Sequence, residues 1–139
     1  MTEYRVLTIK QPYAGLIALR FKTLETRSWT TNYRGQLLIH ASASPDKQML
    51  EKYHAETKHP SHLVTTNSAF LCLVDLVSCF KQSALLDNVN KLNRTTMTHS
   101  HWNIDEHFAW KLENPRILRI SETPIKGKLG IWKWEGELR

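Results

Sequence analysis

The sequence predicts a small α+β domain built on a partly closed β-barrel, about six short strands with two or three flanking helices. Short apolar or β-branched runs recur along the chain: YRVLTIK (4–10), QLLIHAS (36–42), AFLCLVDLVSCF (69–80), HFAWKLE (107–113), RILRI (116–120) and GIWKWEG (130–136). Helical spacing is confined to brief stretches between them. The 139 residues, 41% hydrophobic, suffice for one core of ordinary size and not for two. With no repeat, low-complexity tract or Gly/Ser linker, one domain is expected over 1–139.

Taken in order, the first strand stops at Gln11-Pro12, where proline can open a helix at its first turn. Tyr13, Leu16, Ile17, Arg20 and Phe21 then recur at helical spacing, which predicts an amphipathic helix of about ten residues. KTLETRSW (22–29) follows, then a Tyr33-Arg34-Gly35 turn and the buried strand QLLIHAS. Ser44-Pro45-Asp46 begins a second helix, whose face is traced by Met49, Leu50, Tyr53 and Thr57 as far as Pro60. AFLCLVDLVSCF is the strongest strand signal. The polar stretch from Lys81 to Trp102 is expected to be part helix, part loop. Asn114-Pro115 and Lys126-Gly127 break the last third into three short strands.

Composition excludes several classes. No apolar run approaches the ~18 residues of a membrane span, and MTEYRV lacks the apolar core of a secretory signal. Cys72 and Cys79, if on one strand, lie roughly 23 Å apart on opposite faces and cannot bridge. Reduced thiols and a cytoplasmic location are therefore expected. The 19 basic against 13 acidic residues give a formal charge of +6, which suits a polyanionic partner or simply a basic surface. No block of like charge marks a tail.

KTLETRSW is the most unusual segment. As an extended strand it places Thr23, Glu25, Arg27 and Trp29 on one face, and Leu24, Thr26 and Ser28 on the other, with Leu24 as core anchor and Lys22 at the junction. The first face can hold a nucleotide. Arginine forks onto phosphate or a base edge, tryptophan stacks, and glutamate accepts from an exocyclic amine. It can equally be a surface Arg27–Glu25 pair with Trp29 in the barrel wall. Asp75 is the only ionisable residue in its apolar strand, on the face of Leu71, Leu73, Val77 and Cys79. A buried carboxylate needs a cation, for which Lys22 or Arg27 is the candidate, unless the strand end opens to solvent.

Trp132 and Trp134, at period two, are assigned to packing, with Lys133 facing away. Lys126 and Lys128, flanking Gly127, can present ammonium groups to phosphate. His54, His59 and His62, and the pair His99 and His101, match no metal motif, so no metal and no cofactor are expected. Five glycines form neither GxGxxG nor a P-loop, and no catalytic triad is evident.

LTIKQPYAGLIALRFKTLETRSWTTNYRGQLLIHAS resembles the opening of the ASCH family: a Q-P-[WY]-A helix, K-x-x-E-x-R, Y-R-G and an I-H-A strand. WKLENPR and PIKGKLGIWKW are similar to that family's closing segments. The resemblance implies a PUA-like β-barrel with a cleft for nucleic acid, and Lys22, Glu25 and Arg27 in its wall. It also implies RNA binding, ribonuclease activity or, in one branch, hydrolysis of N4-acetylcytidine. That branch has K-x-x-T-x-R with a nucleophilic threonine; here Lys22 and Arg27 match, Asp75 sits where a later carboxylate falls, and Glu25 replaces the threonine.

A carboxylate can act as general base on water but not as that nucleophile. Glu25 and Asp75 beside Lys22 are expected to keep it charged, suited to gripping an anion. The leading expectation is a domain that binds RNA or a nucleotide or nucleoside through Lys22, Arg27, Arg34, Lys126 and Lys128, with Trp29 or Tyr33 stacking. The alternative is a small hydrolase with Glu25 or Asp75 as base and Lys22 stabilising the oxyanion. A protein-interaction module is the third class.

Overall fold

In the computed structural model, which describes residues 1–81 and 107–138, six strands form one sheet. Along the chain these are β1 (Thr2–Ile9), α1 (Tyr13–Ala18), β2 (Leu24–Arg27), β3 (Gly35–Ala41), α2 (Lys47–Glu56), α3 (His62–Thr65), β4 (Ala69–Lys81), β5 (Phe108–Ile117) and β6 (Ile131–Gly136). The strand order is β2-β5-β4-β3-β1-β6, with β1 and β3 parallel and every other pair antiparallel. The sheet curls. Arg27, in the edge strand β2, donates to the Thr8 carbonyl of β1, next to the opposite edge, at 2.8 Å. The α+β half-barrel expected from the run of short strands is thus observed.

The central strands are buried on both faces, as their continuous apolar runs require. Leu7, Ile9, Leu37, Ile39, Val74, Leu76 and Trp110 build the main core against α1, whereas Val6, Leu38, Phe70 and Trp132 form a second cluster. Tyr4 and Trp134 pack on the second cluster, so the two C-terminal tryptophans belong to packing. α1 docks on α3 through Gly15 and Gln11. The Gln11 amide donates to the Leu63 and Thr66 carbonyls at 2.6 and 2.8 Å, and its oxygen accepts from Gly15 N at 2.9 Å. Burial of this amide is complete, and each of its polar atoms is satisfied. α2 starts where the sequence places it, with the Asp46 carboxylate capping Met49 N at 3.2 Å.

Three expectations are corrected. α1 has six residues rather than about ten, because Arg20 turns left-handed at φ 69° and ends the helical path. α3, a single turn, is the third of the two or three helices expected. HFAWKLE runs on through Arg116 and Ile117 as one strand and Leu118–Ile120 form none, since Asn114 adopts φ 55° and the register jumps between Leu73↔Arg116 and Asp75↔Glu113, so Pro115 falls in a bulge. A second register shift, between Leu76 and Ser78, moves Cys79 onto the core face that Cys72 and Leu76 already share. Both thiols are free, and burial pushes Cys72 up to about 12, with Arg116 opposing. The polar stretch after Lys81, with His99 and His101, lies outside the described residues.

Candidate functional site

Lys22, Glu25 and Arg27 come together as the sequence spacing suggests. Lys22 Nζ lies 3.0 Å from Glu25 Oε1, and Arg27 Nη2 lies 3.1 Å from Glu25 Oε2. The lysine and glutamate side chains are each 3% exposed, so this is an interior ion pair rather than a surface one. Such a pair is sustained only when the remaining donors and acceptors are satisfied. Lys22 also donates to the Leu24 carbonyl and faces the Tyr13 ring, 6.0 Å from its centroid. Burial lowers the Lys22 ammonium below its ordinary 10.5, and Arg27 adds to the fall, while Glu25 opposes both. That direction reverses the expectation that carboxylates would hold Lys22 up, because the cost of desolvation exceeds the gain from one carboxylate.

A cleft of about 270 Å³ lies beside this cluster, at the seam where the barrel fails to close. β6 pairs with β1 only as far as Ile131↔Leu7, so beyond it Thr8 and Ile9 have no β6 partner. Arg27 reaches into that gap, and its Nε is buried with no acceptor among the described residues. Glu25 and Arg27 form one wall with Thr8, Tyr13 and Ser42 nearby; Lys10 and Lys128 flank the opening. Three cations and one carboxylate therefore line it. Tyr13 is held by a 3.0 Å hydrogen bond from its hydroxyl to Asp46, and burial raises its phenol well above the ordinary range, so it remains a donor.

Thr8, in the cleft wall, belongs to a second network. His40 Nε2 donates to the Ile125 carbonyl at 2.7 Å, which leaves Nδ1 to accept from the Thr8 hydroxyl at 3.1 Å. Thr8 Oγ1 in turn accepts from Trp132 Nε1 at 3.0 Å. This chain of bonds needs a neutral imidazole, and burial lowers the His40 pKa below 6.5 despite the Ile125 bond. In the unfolded chain the same imidazole protonates at 6.5, so its contribution to stability is complete above that pH. It is lost as pH falls from 6.5 through the lower folded value. Urea unfolding is expected to show lower stability at about pH 5 than at about pH 7.5, and His40→Asn to shrink that difference. An unchanged difference in the variant would contradict this account.

The other predicted residues separate. Asp75 is 40% exposed on the outer face and pairs with Arg116 at 3.2 Å, with Asn114 at 3.4 Å. Neither Lys22 nor Arg27 is its cation, because Asp75 lies on the outer face of β4, where Arg116, registered against Leu73 on β5, reaches it from the diagonal position. Trp29 packs edge-on against Trp110 at 4.7 Å, and its carbonyl accepts from Trp110 Nε1. Tyr33 donates to the Gln36 carbonyl and lies beneath the Arg5 guanidinium. Arg34 is exposed and bonded to the Thr31 and Tyr33 carbonyls. Lys126 is exposed, whereas Lys128 reaches the cleft and stands 5.6 Å from the Trp132 ring centroid.

Thr8, Lys10, Tyr13 and Ser42 were not singled out as site residues. Lys10 and Tyr13 flank the quoted Gln-Pro motif, and that adjacency was the available signal. Two other cavities differ in character. One of about 330 Å³ sits on the far side of Lys22, beside Arg20 and Lys111. Another of about 550 Å³, between the segment after β5 and the end of β6, sets Glu122 and Glu137 against Arg119, a balance that does not favour an anion.

A family model described as the ASCH domain matches residues 7–119. Activating signal cointegrator 1 from Homo sapiens is 27% identical over 141 residues, covering 95% of this chain, and its Mus musculus counterpart is 26% identical over the same coverage. The chain spans 22% of the length of these relatives.

Proposed function

The chain belongs to the ASCH domain family, within the PUA-like superfamily, and on that premise we propose that it binds RNA, one nucleotide of which enters the cleft between β1 and β2. The observation that carries this reading is Arg27 in the unclosed seam, fixed by Glu25 and the Thr8 carbonyl and flanked by Lys10 and Lys128. Lys10 and Lys128 take phosphate, with Lys126 available to the next one along. Arg27 takes a base edge or phosphate, and Glu25 accepts from an exocyclic amine. Lys22 acts behind Glu25, holding its carboxylate in place. The chain works as one domain over 1–139, in the cytoplasm, where free Cys72 and Cys79 stay reduced.

One observation favours a hydrolase, the Lys22 ammonium lowered by burial beside Glu25. In that reading Glu25 draws a proton from water and Lys22 steadies the developing oxyanion. The direction of Lys22 toward Glu25 and the Leu24 carbonyl supports binding over this alternative.

The test is a titration of a short labelled RNA at about 50 and 200 mM salt. Arg27→Ala is expected to weaken binding by about tenfold or more, the worth of a charge-assisted hydrogen bond. Lys128→Ala, an exposed substitution that leaves folding intact, is expected to reduce the salt slope by about one. Wild-type affinity in both variants would overturn the assignment.

A further inference from the structure

We infer that Leu129 is an apolar wedge at the mouth of this cleft and that the ligand is therefore a single-stranded RNA presenting an unpaired base, rather than a duplex. The inference rests on the RNA-binding reading above and names the form of RNA that this site takes. Leu129 is 98% exposed and lines the cleft between Lys128 and Gly130. A lone exposed leucine is ordinary on a protein surface, but this one is held out by a turn built to hold it.

The turn is pinned at both ends. On its N-terminal side Ile125 N donates to the Ser68 carbonyl at 2.8 Å, and the Ile125 carbonyl accepts from His40 at 2.7 Å. Gly127 then passes so close to β1 and β3 that a Cβ there would stand 2.9 Å from Thr8 Oγ1 and Cγ2 and 3.1 Å from His40 Cε1. On the C-terminal side Gly130 adopts φ 68°, which a β-branched or bulky residue could hold only with strain, before the chain enters β6. Leu129 is thus carried between two fixed points, directly over a cationic pocket.

The chemistry of the rim follows from that placement. Lys10 and Lys128 supply charge for a phosphate, whereas Leu129 offers only an apolar surface, whose natural complement is the flat face of a nucleobase. In a duplex both faces of each base are already stacked and no face is free to meet it. The cleft, at about 270 Å³, falls just under the usual range of small-ligand pockets, about 300–1,000 Å³, a size that suits a single base. Size and rim chemistry point to the same ligand, a base leaving its neighbours and resting against Leu129.

Binding of one short RNA, single-stranded and annealed to its complement, to wild type, Leu129→Ser and Leu129→Met tests this. The account expects wild type to prefer the single strand. Leu129→Ser should lose about fivefold to tenfold on the single strand and little on the duplex, and Leu129→Met should restore the difference. Leu129→Ser binding the single strand as wild type does, or a wild-type preference for duplex, would overturn the wedge while leaving RNA binding in the cleft standing. No binding of either RNA by wild type at low salt would overturn the RNA-binding reading and the wedge with it.

Discussion

Lys22→Met is expected to lower unfolding free energy by about 3 kcal/mol, the low end of what removing one member of a buried ion pair costs. The low end applies because Arg27 remains 3.1 Å from Glu25 after Lys22 is lost. Methionine fills much of the space of the lysine stem, so the cost reports the charge rather than a cavity. The Glu25 carboxylate would stay in an interior site with one cation fewer. Adding Glu25→Gln removes the carboxylate itself, and the double variant is expected to recover at least about 1 kcal/mol relative to the sum of the single costs. Urea denaturation of wild type, both single variants and the double variant measures this coupling. Strictly additive losses would show that Lys22 and Glu25 do not act as a pair.

Gly15→Ala should be nearly as damaging although it places a strong helix former in a helix. The substitution gains about 1 kcal/mol of helix propensity. Against that gain, a Cβ at position 15 would sit 2.6 Å from Val64 Cα and would also strike the Leu63 carbonyl. Both obstacles are backbone, so no side chain can swing aside, and α1 must lift from α3. Lifting breaks the Gln11 hydrogen bonds to Leu63 and Thr66, which leaves a buried amide without its acceptors. Overpacking and lost hydrogen bonds together exceed the propensity gain, with a net loss of about 2–4 kcal/mol expected. Thermal unfolding by circular dichroism checks the sign: a variant as stable as wild type would mean that α1 and α3 can separate freely.

The fold was legible wherever one physical signal dominated. The runs that became β3 and β4 are buried on both faces, and continuous apolar character announces such strands regardless of register. α2 was legible from Asp46, whose side chain does cap the helix. Bulges were not legible, and they account for the main errors. The shift near Val77 exchanges the faces of everything after it, so Cys79 turns inward although simple alternation places it beside Asp75. The bulge at Asn114 lets β5 continue through a proline that normally ends a strand.

The site divided along the same line. Lys22, Glu25 and Arg27 lie within six residues, so local spacing was enough to bring them together. Lys10, Ser42 and Lys128 meet them only through the curl of the sheet, which no window of sequence contains. Asp75 shows the limit most clearly. The sequence offered its carboxylate either a cation, Lys22 or Arg27, or an opening to solvent; Asp75 is 40% exposed, and the cation beside it is Arg116, selected by the β4–β5 register rather than by proximity to the basic segment.

The central claim is that the positive seam between β1 and β2 is where RNA is held. The most direct measurement is the affinity of a short single-stranded RNA for wild type, Arg27→Ala and Lys128→Ala at about 50 and 200 mM salt. The account predicts binding that weakens with salt, a loss of about tenfold or more in Arg27→Ala, and a shallower salt slope in Lys128→Ala. RNA binding that neither substitution alters would place the interface elsewhere on the molecule and contradict the account.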